Sequence, residues 1–335
     1  MVYRARVSRQ ERQKLYHTAR RWRNGGNAMT EKIQNNLKKP YYETLDSMVK
    51  LYHADCFDVL PKLQPIDCVM TDPPYMYIKN DACKFDRCNL DLPKLASMLS
   101  ALVGENGFVA SFGRGMMLAR LMIALDGVGL RFKESICWDK CYPTSPCHKL
   151  MRKHEDCVLF SRKGLVRTSM VPYVEKKEFD FRRVENDIKR LVQALNNEND
   201  FKALQNFVAS KKKDYYHSDA GRSLTVQSRL KDSNRAVNTA HSIFIGSKES
   251  DVIEVAHIHY HAIHPTEKPV RLIERILALI SDRGDTILDP FAGSGSTGIA
   301  CIQTGRRCIL IEKDERYCEM IVNRLKSYTT YQQPR

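Results

Sequence analysis

The sequence predicts an α/β protein built on an open, parallel, doubly wound sheet whose strand order is circularly permuted, interrupted by a long insertion. Three observations lead there. Short apolar strands alternate with amphipathic helices on both sides of a gap in the pattern, which is the signature of a sheet covered on both faces. A glycine-rich turn of the nucleotide-binding kind, Gly293-x-Gly295-x-x-Gly298, sits between a strand and a helix near the C-terminal end. Only 23 residues follow Glu312, the acidic residue about 20 positions beyond that turn, so the remaining strands must come from upstream.

The elements follow in order. Residues 1–47 are polar and basic with weak helical periodicity and read as an N-terminal extension. Val49–His53 is a short strand, Asp58–Leu63 a helical turn, and Ile66–Met70 an apolar strand. That strand ends at Thr71-Asp72-Pro73-Pro74-Tyr75, because two adjacent prolines cannot continue a central strand. Leu92–Val103 has helical spacing, Phe108–Phe112 is a strand, Met116–Leu125 a helix, and Phe132–Trp138 and Cys157–Phe160 are strands. Between about Lys163 and Lys248 the alternation stops, although Val184, Ile188, Leu191, Val192 and Leu195 mark one amphipathic helix. The pattern resumes with a helix over Pro269–Ile280, a strand over Thr286–Asp289, a helix over Gly298–Thr304, a strand over Arg307–Glu312 and a closing helix over Tyr317–Tyr328. The expected division is 1–47 extension, 48–162 first half of the α/β domain, 163–250 insert and 251–335 second half.

Composition narrows the function. The net charge of +15 lies in two segments: residues 1–50 carry 12 Lys/Arg against 4 Asp/Glu, and residues 161–250 carry 18 against 11. The rest is balanced, so two basic segments flank a neutral framework, which suits a polyanionic partner, nucleic acid first. No apolar run approaches a membrane span and the N-terminus lacks an apolar signal core, so a soluble protein outside the membrane is expected. Eleven cysteines without a C-x-x-C pair fit a reducing cytoplasm better than a disulfide framework.

Two motifs carry chemistry. The turn Asp289-Pro-Phe291-Ala-Gly293-Ser-Gly295 would bring backbone against a nucleotide ligand, with Glu312 placed to hold a ribose diol. Taken alone, this signature also fits a nicotinamide-dependent oxidoreductase. The second motif is Asp72-Pro73-Pro74-Tyr75, expected beside the glycine turn at the sheet's switch point. An exocyclic base amine is a poor nucleophile because its lone pair is delocalised into the ring. The Asp72 carboxylate and the Pro73 carbonyl, held rigid by Pro74, can each accept one N–H, and Tyr75 offers a flat face for an extruded base.

With these motifs the chain resembles the amino DNA methyltransferases, specifically the permuted group in which D-P-P-Y precedes the target-recognition region and the F-x-G-x-G cofactor loop. The resemblance covers about residues 48–328, with the motifs in the right order. It implies a circularly permuted, Rossmann-like, S-adenosylmethionine-dependent methyltransferase sheet with an inserted, largely helical target-recognition region. It further implies that Asp55, in His53-Ala-Asp55-Cys56, approaches the cofactor's adenine, and that Thr266 and Lys268, in His264-Pro-Thr266-Glu-Lys268-Pro, lie near its methionine end. Asp289, Phe291, Gly293 and Gly295 fall on the cofactor loop and Glu312 on the ribose-binding acid. In the insert, Lys211, Lys212 and Lys213 with Tyr215 and Tyr216 are candidate DNA contacts, or else a solvated loop with two core tyrosines.

The implied reaction is methyl transfer from S-adenosylmethionine to N6 of adenine in double-stranded DNA by direct displacement on a flipped base. N4 of cytosine is the nearest alternative; Asp72 favours adenine because the cytosine enzymes of this group often carry serine there. A non-catalytic DNA-binding protein on the same fold, and RNA as substrate, remain open. His257, His259 and His261 alternate along one strand face, and Cys141, Cys147 and His148 cluster, but neither set has a full ligand spacing and this chemistry needs no metal. The resemblance also implies a bacterial or phage-encoded cytoplasmic enzyme, a monomer or homodimer, with a cognate restriction endonuclease as a possible partner.

Overall fold

The computed structural model describes residues 39–75, 90–142, 150–177, 180–210, 232–257 and 267–331. The chain divides into two compact units, residues 168–249 and the remainder.

In the larger unit the described strands are β1 (Tyr42–Glu43), β2 (Val49–His53), β3 (Ile66–Thr71), β4 (Val103–Gly113), β5 (Arg131–Asp139), β6 (His154–Ser161), β9 (Val252–Glu254), β10 (Thr286–Asp289) and β11 (Arg307–Glu312). They form one sheet in the order β1-β2-β11-β10-β3-β4-β6-β5-β9. Strands β2, β11, β10, β3 and β4 run parallel to their neighbours in that order. The last two strands in sequence thus lie inside the sheet, between β2 and β3, which is the permutation expected from the position of the glycine turn.

Side chains alternate across the sheet and build a core on each face. Cys68 and Met70 of β3 pack with Leu272, Ile276 and Ile280 of α8 (Val270–Ile280), Ile299 and Cys301 of α9 (Ser296–Thr304), and Ile321 and Leu325 of α10 (Glu315–Tyr331). Val69 faces the other way, into Val59 of α1 (Cys56–Val59), Leu95 and Leu99 of α2 (Leu92–Leu102), and Leu118 and Leu121 of α3 (Gly115–Gly127). Local chemistry sets the helix ends. Asp91 caps α2 by accepting from Lys94 N at 3.0 Å, with Pro93 in the first turn. Helix α9 is bounded by Gly295 at φ 74° and Gly305 at φ 68°, left-handed positions that favour glycine.

Three features depart from the sequence reading. Strand β6 runs antiparallel to β4 and β5, so the sheet is mostly, not wholly, parallel; an antiparallel return needs no crossover helix. Tyr42–Glu43, assigned to the extension, adds β1 at the sheet edge against Leu51 and Lys50. Strand β9, too short to leave a periodic signal, pairs parallel with β5.

The smaller unit contains a two-stranded ribbon, β7 (Met170–Val171) with β8 (Ser247–Lys248), and helices α4 (Tyr173–Lys176), α5 (Phe181–Leu195), α6 (Glu198–Ser210) and α7 (Asp232–Ile245). Helix α5 is the amphipathic segment, yet Ile188, Val192 and Leu195 on it are exposed while Asp187 and Ala194 are buried. Asp187 is satisfied by Lys177 at 2.6 Å, Arg190 at 2.7 Å and the Tyr173 hydroxyl at 3.0 Å. Lys177, Asp187 and Arg190, with Asn238, Thr239 and Ser242, line a polar cavity of about 340 Å³ that contains none of the motif residues. No helix among the described residues is long and apolar enough to cross a membrane.

Candidate active site

The sheet order places four sequence motifs side by side. Adjacent strands β2, β11, β10 and β3 end, at the same edge, in His53 before Asp55, in Glu312, in Asp289 and in Thr71 before Asp72. The pairing of Ile287 with Cys68 and Leu288 with Val69 sets the glycine turn directly beside D-P-P-Y. This is the switch point, where open α/β sheets bind ligands.

On the glycine side, the chain turns from β10 to α9 with Gly293 at φ 50° and Gly295 at φ 74°. Asp289 is buried and accepts from Phe291 N at 3.1 Å and from the Thr297 hydroxyl at 2.6 Å. Burial pushes its carboxyl up to about 7, although those two hydrogen bonds oppose the shift. Phe291 packs against the core on the α2 side. Glu312 accepts from Gly293 N at 2.8 Å, Lys313 N at 2.8 Å and Asp314 N at 2.9 Å. Burial raises it while these N–H donors hold it down. A carboxylate has about four lone-pair sites, so one remains for a diol without rearrangement. Asp55 caps α1 through Phe57 N at 3.0 Å and pairs with Lys313 at 2.9 Å. Burial opposes ionisation there, but the Lys313 contact wins and lowers the carboxyl.

On the D-P-P-Y side, Asp72 is the centre of a network the sequence did not reveal. Its Oδ1 accepts the Tyr75 hydroxyl at 2.6 Å and its Oδ2 accepts Lys268 Nζ at 2.5 Å. Lys268 also reaches Glu155 Oε2 at 3.2 Å, and Glu155 Oε1 accepts Lys140 Nζ at 2.5 Å. The Lys268 ammonium lies 5.0 Å from the Phe112 ring centroid and 5.7 Å from that of Tyr75. Side-chain exposure is 21% for Asp72, 14% for Glu155, 7% for Lys268 and 6% for Lys140. Two carboxylates and two ammoniums thus close a nearly dry, neutral cluster. Burial pushes Asp72 up against the pull of Lys268. Desolvation disfavours charged Lys268, but Asp72 and Glu155 outweigh it and raise its pKa. Burial also opposes the Glu155 carboxylate, yet Lys268 and Lys140 hold it at about 2.

Between the two sides, Arg324 of α10 donates to the Ser294 carbonyl at 3.0 Å and the Ser296 hydroxyl at 3.1 Å, and pairs with buried Glu267 at 2.7 Å. Successive residues Glu267 and Lys268 therefore tie the glycine loop and Asp72 to one strand of chain. The buried Thr71 hydroxyl, immediately before Asp72, has no hydrogen-bond partner among the described residues. Left-handed glycines that keep the turn free of side chains, a ribose-type acid one strand away and an unsatisfied hydroxyl at the strand end together fit a nucleotide-like cofactor.

The structure brings Asp55, Asp72, Pro73, Pro74, Tyr75, Lys268, Asp289, Phe291, Gly293, Gly295 and Glu312 to one edge. Lys268, expected at the methionine end, has its ammonium on Asp72 and Glu155. Thr266, the basic cluster Lys211, Lys212, Lys213 with Tyr215 and Tyr216, and also His259, His261, Cys147 and His148 lie outside the described residues. His257 stacks on Trp138 at 5.9 Å, and no group of three or more metal-ligating side chains occurs among the described residues. Glu155, Lys140 and Arg324 carried no motif; the one trace is the acidic pair Glu155-Asp156 at the start of β6, ahead of its apolar run.

The chain is 26% identical over 311 residues to the Type II methyltransferase M2.DpnII of Streptococcus pneumoniae, covering 87% of this chain and 94% of that one. A shorter stretch of 68 residues is 46% identical to the DNA adenine methyltransferase YhdJ of Escherichia coli (strain K12), 20% of this chain and 23% of that one. Among solved structures, the cytosine-N4-specific PvuII DNA methyltransferase shares the fold with a TM-score of 0.53 at 15% identity, over 88% of this chain and 93% of its own. The M1.HpyAVI–SAM complex does so with a TM-score of 0.50 at 21% identity, over 83% and 100%. The N6/N4 methylase family model, described as DNA methylase, matches residues 66–323. With its two motif loops on adjacent strand ends and that match spanning most of its length, the chain belongs to the N6/N4 DNA methylase family.

Proposed function

We propose that the protein methylates N6 of adenine in double-stranded DNA, with Asp72, Pro73, Pro74 and Tyr75 as the catalytic loop. The observation that carries this reading is the adjacency of that loop to the glycine turn across the β3–β10 pair. S-adenosylmethionine supplies an electrophilic methyl group; Asp55, Thr266, Asp289, Phe291, Gly293, Gly295 and Glu312 would hold it, with Lys268 at the junction with the base pocket.

The chain's own residues do the rest by position. The target base leaves the stack, since its amine is out of reach inside the duplex. Tyr75 stacks on it, worth about 1–3 kcal/mol. The Asp72 carboxylate and the Pro73 carbonyl accept the two amine hydrogens, which turns the nitrogen lone pair out of the ring. The released proton passes to Asp72 or water. The smaller unit and the segment containing Lys211, Lys212, Lys213, Tyr215 and Tyr216 would select the target sequence. The identity to the DNA adenine methyltransferase YhdJ supports the adenine assignment, and that to the Type II methyltransferase M2.DpnII supports a restriction–modification setting in a bacterial cytoplasm.

The test is to incubate the protein with unmethylated DNA and methyl-labelled S-adenosylmethionine, digest to nucleosides and separate them. Label in N6-methyladenine is expected. Label in N4-methylcytosine would overturn the base assignment and leave the family intact.

A further inference from the structure

Asp72 is asked to accept an amine hydrogen, yet both of its oxygens are engaged. Oδ1 holds the Tyr75 hydroxyl at 2.6 Å and Oδ2 holds the Lys268 ammonium at 2.5 Å. Lys268 is only 7% exposed, so it cannot step off Asp72 into water. A buried ammonium released without a new partner is strongly unfavourable. Another acceptor has to take it.

Glu155 is placed for that exchange. Its Oε2 lies 3.2 Å from Lys268 Nζ and 3.5 Å from the Tyr75 hydroxyl. The two groups that occupy Asp72 are therefore the same two within reach of one Glu155 oxygen. The other oxygen is fixed by Lys140 at 2.5 Å, so the carboxylate cannot swing away. With its carboxyl held at about 2, Glu155 is ionised at every pH at which the enzyme would work. Within the cluster two carboxylates balance two ammoniums, and from outside it Asp289 faces Asp72 and Arg114 faces Lys140.

We propose that Glu155 is a positioning residue, the alternate acceptor that takes Lys268 and the Tyr75 hydroxyl from Asp72 as the target base enters. Asp72 is then free to receive the amine. The inference rests on the reading of Asp72 as the amine's acceptor. No covalent bond changes and no proton changes owner: Lys268 remains an ammonium, both carboxylates remain ionised, and only the shared hydrogens shift from Asp72 oxygens to Glu155 Oε2. Strand β6 thereby contributes to a site otherwise built on β3, β10 and β11. Lys140 keeps Glu155 charged before and after the exchange.

The substitution Glu155→Gln keeps the size and one acceptor oxygen for Tyr75 but removes the charge that would receive the ammonium. Single-turnover methylation of unmethylated duplex DNA is measured alongside S-adenosylmethionine affinity by calorimetry. The expected result is a rate loss of a hundredfold or more with cofactor affinity within threefold of wild type. Adding Lys268→Met should then restore at least tenfold over Glu155→Gln, because the ammonium that held Asp72 Oδ2 is gone and the carboxamide oxygen left by Glu155→Gln can still take the Tyr75 hydroxyl; a merely structural role would give no such rescue. A rate within threefold of wild type, or a double variant no faster than Glu155→Gln, would overturn the proposal.

If Glu155→Gln does not bind cofactor, the comparison is made in the Lys268→Met background, where Glu155 has no ammonium to receive. There Glu155→Gln should cost less than threefold in rate, and a loss of tenfold or more refutes the exchange. Asp72→Ala separates the two layers. Full activity in Asp72→Ala removes the reading of Asp72 and this inference with it. An inactive Asp72→Ala beside a fully active Glu155→Gln removes the inference alone.

Discussion

Replacing Asp289 with asparagine is expected to flatten the dependence of stability on pH. Asp289 ends β10 under the glycine turn and is 4% exposed. Burial raises its carboxyl from 3.8 to about 7, against the Thr297 and Phe291 hydrogen bonds. Roughly three units at about 1.36 kcal/mol each correspond to about 4 kcal/mol, as an order of magnitude. The sign follows from proton binding. Between the unfolded and folded values the native state holds a proton that the unfolded chain has released. The stabilisation is therefore complete below about pH 4 and is lost as the pH rises to about 7. Asparagine keeps the size and does not titrate. From pH 5 to pH 8, the stability of Asp289→Asn relative to wild type should grow in the variant's favour by about 3 kcal/mol. Urea unfolding of both proteins at the two pH values measures this. A difference that stays constant, or that moves in favour of wild type, would refute the claim that burial outweighs the two hydrogen bonds.

Other outcomes test the site. Asp72→Ala and Tyr75→Ala should abolish or cripple methyl transfer in the labelled-nucleoside assay while calorimetry still detects cofactor binding, since neither residue builds the glycine turn. Gly293→Val should do the reverse and block cofactor binding, because valine resists the left-handed φ of 50° that the turn requires. Gly295→Ala places a Cβ 3.0 Å from both Ile321 γ-carbons at φ 74°, and should cost about 1–2 kcal/mol in thermal or urea unfolding from the backbone alone. Arg324→Met deprives buried Glu267 of its 2.7 Å partner and should destabilise by about 3 kcal/mol, with weakened cofactor affinity because the Ser294 and Ser296 contacts go with it.

Periodicity, turn chemistry and motif order are local properties, and they were readable in the chain. The short apolar run of β3, the helical spacing of α2 and α8, and the breaks at Pro73 and Gly293 depend only on neighbours in sequence. The permutation is seen directly in the sheet, where β11 and β10 lie between β2 and β3. Strand direction was not readable: β6 has the same apolar composition whether it runs parallel or antiparallel. Nor was the burial of α5, whose periodicity marks a helix but whose buried residues are Asp187 and Ala194. The charge cluster around Asp72 was the least accessible. Asp72, Lys140, Glu155 and Lys268 come from distant parts of the chain and meet at 2.5–3.2 Å only when β3, β5, β6 and the segment before α8 converge. Ion pairing depends on distance through space and on exclusion of water, and neither quantity is written in residue spacing. The sequence by itself determined the family to which the chain belongs; the tertiary structure decided which charges hold the Asp72 carboxylate.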